Sequence, residues 1–481
     1  MLAVRSGRLD NAAMPARLAL VLLMLASALV PSNAAADHWY EPDRMLGVID
    51  ASRQPLLAHA VNVGWDRVLF LWQEIQPYQD GDWYLERYLD RTGQRALLQS
   101  GRPIVAVVQG TPGWAAGDWH DGASGVPTGL DYPVDDPHNN FGRFLLRLVQ
   151  TFRGRVSAWV VWNEPDFHPG ESGDWWTWSG NTADFFSLVR TGYRAIKRAD
   201  PGAAVVFPST TYFADAVNGR GLFIDRVVAE GLRDPEAARN GFYFDAVGLN
   251  IYCSLDSISR LRGVYADILE KYHLDKPIWL TETNCPIYND RAAPIEPHHH
   301  ITTSEQAGFL IQAVALARAA GYQRIGWYAM QDVDPRTGIA DRWGLVRADG
   351  SPRPAYRAFR VASQYLAGTQ VVARVASVAN VTRVIVDDPE QHTRAQVVWR
   401  SAGGPRTVII APSASNAHLL DAQGFSTPAT RVGAGWEVPL PPVRVAEAFD
   451  PPGFQSLGDP ILLVETDVHT TSGTPALTVV Q

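Results

Sequence analysis

Between residues 45 and 330, short runs of Val, Ile and aromatic side chains alternate with longer stretches whose apolar positions recur at helical spacing. Eight of these runs are predicted as strands, over 45–50, 67–72, 104–109, 158–164, 204–209, 244–252, 278–283 and 324–330. Ile104-Val105-Ala106-Val107-Val108 shows no polar alternation, as expected of a parallel strand buried on both faces. Helices are predicted over 85–99, 141–151, 182–199 and 303–320, each with a glycine (Gly101, Gly154, Gly202 or Gly321) just past its end. Thr303 followed by Gln306 has the spacing of a capping box. Eight strand-helix units predict an α/β chain folded as a (β/α)8 barrel over residues 37–368. A doubly wound open sheet is the alternative, but no Gly-x-Gly-x-x-Gly follows the first strand.

Beyond Leu366 the texture changes. Short apolar runs at 371–375, 381–387, 394–400, 406–411, 436–440 and 461–464 are separated by Gly, Pro and Asp clusters with no helical period. This predicts a separate antiparallel β-sandwich over 369–466 and a frayed tail at 467–481. At the other end, Arg5, Arg8 and Arg17 precede an apolar run at 18–30 and the small-residue stretch after Pro31. Those are the three parts of a secretory signal peptide at 1–36, too short in its apolar part to span a bilayer. An exported protein, secreted, periplasmic or at the cell surface, is therefore expected, with no membrane span after removal of the signal.

With 481 residues and 46% apolar content the chain can bury a large core. Its net charge is −8, and removing the three Arg and one Asp of the first 36 residues takes it to −10, which gives no attraction for nucleic acid. Only three Lys occur, Lys197, Lys271 and Lys276; the Arg-dominated positive charge is read as composition and not as a binding face. The two cysteines, Cys253 and Cys285, cannot form a four-ligand zinc site alone. They follow neighbouring strands and are expected to be bonded in an oxidising compartment.

Reacting groups of a parallel barrel gather where its strands end. Two ends carry a carboxyl directly after an apolar strand: Trp162-Asn163-Glu164-Pro165 and Leu280-Thr281-Glu282-Thr283. Burying such a charge costs several kcal/mol unless it is paired or used. A lone strand-end Glu is more often a helix cap or an Arg partner. Two on opposite sides of one barrel mouth suit glycoside hydrolysis, which needs one protonated and one ionised carboxyl flanking a bond.

Asn163-Glu164-Pro165 and Thr281-Glu282 resemble the acid/base and nucleophile signatures of glycoside hydrolase clan A. Trp72-Gln73-Glu74-Ile75-Gln76-Pro77, Gly110-Thr111-Pro112-Gly113-Trp114, Asn250-Ile251-Tyr252 and Trp327-Tyr328 resemble the clan's second, third, sixth and eighth strand exits. Within the clan the likeness is closest to family 39, the branch of xylosidases, iduronidases and bacterial exopolysaccharide endoglycosidases. The resemblance implies that Glu164 is acid then base and Glu282 the nucleophile. It further implies that Asn163 holds the sugar 2-hydroxyl, Tyr252 bonds the nucleophile and Trp327 floors the sugar. Asn250, a further candidate for substrate binding, stands where many members carry His.

Aromatic residues at strand exits, among them Trp72, Trp114, Trp119, Trp162, Trp176, Trp178 and Trp343, are candidate sugar platforms, whereas Trp159 and Trp279 lie inside strands and are assigned to the core. Trp176, in the Trp175-Trp176-Thr177-Trp178 cluster, is expected beyond the leaving group. Asp50 and Glu74 are expected as hydrogen-bonded walls. His298, His299 and His300 invite a metal reading, as do Asp332 and Asp334, but consecutive His cannot face one ion from regular structure and paired Asp is ordinary turn chemistry. No metal or cofactor is assigned. The expectation is a monomeric retaining glycoside hydrolase acting within a polysaccharide or oligosaccharide; an exo-acting glycosidase and a non-catalytic carbohydrate-binding or adhesion protein are the alternatives. Trp399, Trp436 and Phe454 of the sandwich are either core or platforms, and the sandwich is assigned a packing role.

Overall fold

The structure is a computed structural model that describes residues 45–79, 81, 83–167, 176–290, 301–333, 342–368, 372–443, 458–469 and 473–480. The expected signal peptide, Trp175, His298 to His300, Asp334 and Phe454 lie outside the described residues.

Eight parallel strands close into a barrel in chain order: β1 (Leu46–Ile49), β2 (Trp65–Leu71), β3 (Ile104–Gln109), β4 (Val156–Val161), β5 (Ala204–Thr210), β6 (Ala246–Tyr252), β7 (Ile278–Asn284) and β8 (Ile325–Trp327). Alternation along β3 explains its unbroken apolar run. Val105 and Val107 join Val160, Val206, Trp65 and Trp279 inside the barrel, while Ile104, Ala106 and Val108 join the layer under the helices. Trp65 fits there because its neighbours lack side chains. A Cβ on Gly47 would lie 2.1 Å from the Trp65 ring, and one on Gly326 would lie 2.2 Å from the Thr281 carbonyl oxygen. Trp65 Nε1 donates to Met45 O at 2.9 Å and Trp279 Nε1 to Gln323 Oε1 at 2.7 Å, so both indoles are core, as assigned for Trp279. Trp159 faces outward against Phe70 and Phe152.

The helices fall where predicted, except that the one expected over 85–99 is broken at Gly93, in the left-handed region at φ 72°, into an α-helix Leu85–Thr92 and a 3-10 turn Arg95–Gln99, and another is shifted in its cap. Helix Thr303–Ala320 is capped by Thr302 and Glu305, one residue earlier than the expected Thr303 and Gln306. Thr302 is extended and accepts from Glu305 N, and the Glu305 carboxylate takes Thr302 N at 2.7 Å. Gln306 is buried instead, donating to Asn284 Oδ1 at 3.1 Å.

The C-terminal strands form two antiparallel sheets. One has the order β14 (Ser426–Pro428), β13 (Asn416–Leu420), β17 (Ile461–Thr466), β11 (Thr393–Arg400), β10 (Val381–Asp388), β9 (Val372–Val375). The other has the order β15 (Thr430–Val432), β16 (Gly435–Leu440), β12 (Arg406–Ile410), β18 (Leu477–Val479). The tail expected to fray therefore supplies a strand: Val408, Ile409 and Ile410 pair with Val479, Thr478 and Leu477, satisfying an otherwise open sheet edge. Trp399 and Trp436 are buried, which makes both core.

Barrel and sandwich share one hydrophobic cluster. Val384, Val386, Val397, Trp399 and Val464, on one face of the larger sheet, belong to the same buried layer as helix Thr303–Ala320. The opposite face, with Val381, Val398 and Leu463, packs on Val408, Trp436 and Val438 of the smaller sheet. That helix is buried continuously from Gln306 to Ala317 because it lies between the barrel and this sheet. Among the described residues no helix is long and apolar enough to cross a membrane.

Two exit loops are tied down by Arg353, which is buried at the start of helix Pro354–Tyr365. Its guanidinium donates to Asp290 after β7 at 2.8 Å, and to Asp332 Oδ1 after β8 and Gly344 O at 2.9 and 2.8 Å. Asp332 is thereby engaged as an ion-pair partner. Replacing Arg353 with Met leaves two buried carboxylates without this cation, and the expected loss is about 3–5 kcal/mol of stability. Denaturant unfolding monitored by Trp fluorescence checks it; a change below about 1 kcal/mol would show that the loops are held by other contacts.

Candidate active site

The chain leaves β4 through two residues in the left-handed region, Trp162 at φ 80° and Glu164 at φ 49°. Each such non-glycine residue costs of order 1–3 kcal/mol and needs its surroundings to hold it. Trp162 N donates to Val108 O at 2.9 Å, and Glu164 N to Ser209 O at 2.8 Å. The remaining restraint comes from Thr177. Its hydroxyl lies 2.9 Å from Asn163 O and 2.6 Å from Glu164 O, and its carbonyl accepts the indole N–H of Trp162 at 2.9 Å.

The Glu164 carboxyl is 8% exposed and accepts a hydrogen bond from Asn250 Nδ2 at 2.7 Å. Burial, then the negative charge of Glu282, push its pKa up to about 8, and the Asn250 bond opposes this. Asn250 is aimed by a β-bulge. The register runs Leu249 with Leu280, then Asn250 with Glu282, so Thr281 is the additional residue. The Thr281 hydroxyl lies 2.9 Å from Asn250 Oδ1, which fixes the amide with its nitrogen toward Glu164. Asn250 thus serves the β4 carboxyl and not Glu282.

Glu282, 5% exposed on β7, forms an ion pair with Arg67 of β2 and accepts a hydrogen bond from the Tyr252 hydroxyl of β6. Burial, followed by the charge of Glu282, holds Tyr252 well above the usual phenol range, so it stays a donor. Arg67 also donates to Asn163 Oδ1 at 2.8 Å, linking β2, β4 and β7 in one network. Cys253 and Cys285 are disulfide-bonded, with Cα atoms 4.7 Å apart, and tie the residue after Tyr252 to the loop after Glu282.

Both carboxyls line one cavity of about 560 Å³, together with Arg67, Asn163 and Tyr252. One wall is aromatic. Tyr252, Tyr328 and Trp343 meet edge to face, with ring centroids 5.1–6.1 Å apart. Asp50 and Glu74 line the cavity as expected, Asp50 accepting from Gln94 at 3.0 Å and pairing with Arg53, Glu74 pairing with Arg91. Among the described residues no His, Cys, Asp and Glu cluster is arranged to hold a metal ion.

Several of the Trp expectations do not survive. Trp72 is buried because a short helix, Trp72–Ile75, begins at once and turns the indole outward onto Phe144, at 5.1 Å and 24°. Trp114 stands edge-on to Trp72 and lines a different surface pocket with Trp83 and Arg143. Trp327 is buried beside Phe309 of helix Thr303–Ala320, since strand alternation turns it out and leaves Tyr328 at the cavity. Trp162 and Trp178 are buried against each other. Trp176 is 37% exposed and does not line the cavity; its indole donates to Ser124 Oγ at 3.0 Å. Trp119 is 69% exposed on the β3 loop. Arg67 was not singled out from the sequence, although a charged residue in an apolar strand was the available signal. Tyr328, part of the Trp327-Tyr328 motif, also lines the cavity, as does Gln331, which carried no mark in the sequence.

The chain is similar in sequence to a curated protein and in fold to several solved structures. A β-xylosidase of Caldicellulosiruptor saccharolyticus is 24% identical over 271 residues, spanning 50% of this chain and 50% of its own length. The chain thus covers about half the length of the curated relative it matches. Among solved structures, a family 39 glycoside hydrolase from the gut symbiont Bacteroides cellulosilyticus WH2 matches with TM-score 0.62 and 17% identity over 88% of this chain and 81% of that one. The catalytic domain of a GH30 xylanase C from Talaromyces cellulolyticus matches with TM-score 0.58 and 14% identity over 89% and 98%. No family model matches the chain. The likeness to clan A, and to its family 39 branch, that the strand-exit motifs suggested is therefore repeated at the level of the fold.

Thr177→Val removes the hydroxyl that meets two carbonyls beside Glu164. An expected loss of about 1–3 kcal/mol in thermal or denaturant unfolding follows, whereas Thr177→Ser, which keeps the hydroxyl, should retain most of the wild-type stability. Equal stabilities of the Val and Ser variants would show that water or another donor replaces the bond.

Proposed function

We propose that the protein is a retaining O-glycoside hydrolase in which Glu164 acts as general acid and then base and Glu282 as nucleophile. One observation carries this reading: two buried carboxyls share a cavity, and the surroundings keep one neutral while giving the other a cation and a phenol donor. Glu282 attacks the anomeric carbon as Glu164 gives its proton to the departing glycosidic oxygen. Once the glycosyl ester forms, Glu282 no longer bears the charge that raises the Glu164 pKa. Glu164, already deprotonated by the first step, becomes a stronger acid and remains available as the base that activates water. The same pair of residues thereby serves both half-reactions.

Asn163 has its Oδ1 taken by Arg67, which leaves the amide N–H groups for a sugar hydroxyl, the 2-hydroxyl by the family resemblance. Tyr328 and Trp343, not Trp327, supply the aromatic surface for the sugar in the cavity. Trp176, following Glu164 in the chain and partly exposed, is assigned to the leaving-group side, and with it an endo mode on a polysaccharide. The curated relative is a β-xylosidase and one structural neighbour a xylanase, which makes β-xylosides the first substrates to test. The charged start and apolar run of residues 1–36 support export.

With Glu164 needed as an acid, kcat/KM is expected to fall as pH rises through about 8, where its proton is lost. Glu164→Gln should abolish that alkaline limb and slow glycosides with poor leaving groups by about 10²–10⁴-fold while sparing activated aryl glycosides. Glu282→Gln should be inactive on both. Proton NMR of the first-formed sugar should show the substrate's anomeric configuration; the opposite anomer would overturn the double displacement.

Trp176→Ala should weaken turnover of a polymer more than that of an aryl monosaccharide, measured as kcat/KM on each. Equal losses on the two would count against a platform on the leaving-group side.

A further inference from the structure

The cavity continues past its β2 wall. Glu74, Tyr88 and Arg91 line both it and an adjoining groove of about 350 Å³, whose other walls are Pro77, Tyr78, Tyr84 and Arg87. The groove is built by the chain that follows β2. After helix Trp72–Ile75 the backbone folds back, Tyr84 N donating to Ile75 O at 2.9 Å, and enters helix Leu85–Thr92. Positions 84, 87, 88 and 91 of that segment recur at helical spacing and share one face.

Each wall has a distinct character. Tyr88 is buried, with its hydroxyl donating to Leu69 O at 2.6 Å, and forms a fixed floor. The Arg91 guanidinium lies 5.5 Å from the Tyr88 ring centre and is held by Glu74. Tyr78 is 65% exposed at the rim, a large aromatic surface in water beside charged hydrogen-bonding groups. An aromatic face with carboxylate and guanidinium groups alongside is the chemistry that binds a sugar ring, apolar on its C–H face and polar at its edge.

Resting on the hydrolase reading above, we propose that this groove is a second pyranose subsite, on the glycone side of the scissile bond. Glu164 marks where the leaving group departs, and Trp176 follows it in the chain. The groove shares no residue with that side. It meets the cavity instead through the β2 exit, so a sugar joined to the non-reducing end of the one being cleaved runs across Glu74 and Arg91 toward Tyr78.

Aryl glycosides isolate this effect, because the leaving group stays constant while the glycone lengthens. The probes are 4-nitrophenyl β-D-xylopyranoside and β-xylobioside, with the glucoside and cellobioside as a second pair. Wild-type kcat/KM should be about tenfold higher for a bioside than for its monoside. Tyr78→Ala and Arg87→Ala should each remove most of that gain without changing the monoside value. Hydrolysis of monosides with no bioside advantage, or equal losses on both in the variants, would overturn the subsite and leave the hydrolase reading standing. No turnover of any of the four probes would count against the hydrolase reading and take the subsite with it. Circular dichroism of the variants separates loss of the subsite from loss of fold.

Discussion

Everything at the barrel mouth follows from placing two carboxyls out of water with Arg67 paired to one of them. Ionising both would cost several kcal/mol per charge. Arg67 makes direct contact with Glu282 and not with Glu164, whose direct side-chain partner is a neutral amide. The proton therefore stays on Glu164, whose pKa is pushed up to about 8 by burial and then by the charge of Glu282. The two side chains are chemically identical, so what distinguishes them comes from their surroundings.

That placement is supported from several strands at once. Glu282 receives Arg67 from β2 and Tyr252 from β6; Glu164 receives Asn250 from β6, Ser209 O from β5 and Thr177 from its own loop. Asn250 is itself held by Thr281, the residue before Glu282. Moving either carboxyl disturbs a partner of the other. Such cross-linking permits left-handed backbone at Trp162 and Glu164, since no single contact bears the strain.

The barrel was legible because parallel strands covered on both faces read as plain apolar runs, and all eight appear, the fourth and eighth ending three residues short of their expected limits. The two Glu stood out because a charge ending an apolar strand needs a reason. The direction of an exit Trp was not legible. Trp72, Trp327 and Tyr328 differ by one position of alternation or by the first turn of a helix, and either reverses which face they meet. Strands β13, β14, β15 and β18 escaped notice since they are short and partly exposed, with pairing supplied by long-range neighbours. Thr177 carried no signal of its own, as its hydroxyl meets main-chain carbonyls.

Helix Thr303–Ala320 shows how the appended sheets bear on the site. Its buried positions extend all round, so without a cover it would present an apolar face to water. The larger sheet supplies that cover, and Gln312 fastens it by donating to Gly458 O at 3.0 Å. At the other end of the same helix, Gln306 donates to Asn284, whose amide nitrogen in turn lies 2.7 Å from Trp343 O. One rigid element therefore joins the sheet to the strand that carries Glu282 and to the aromatic wall of the cavity. The appended sheets thus connect to the supports of the site through this helix, while no described residue of theirs lines the cavity.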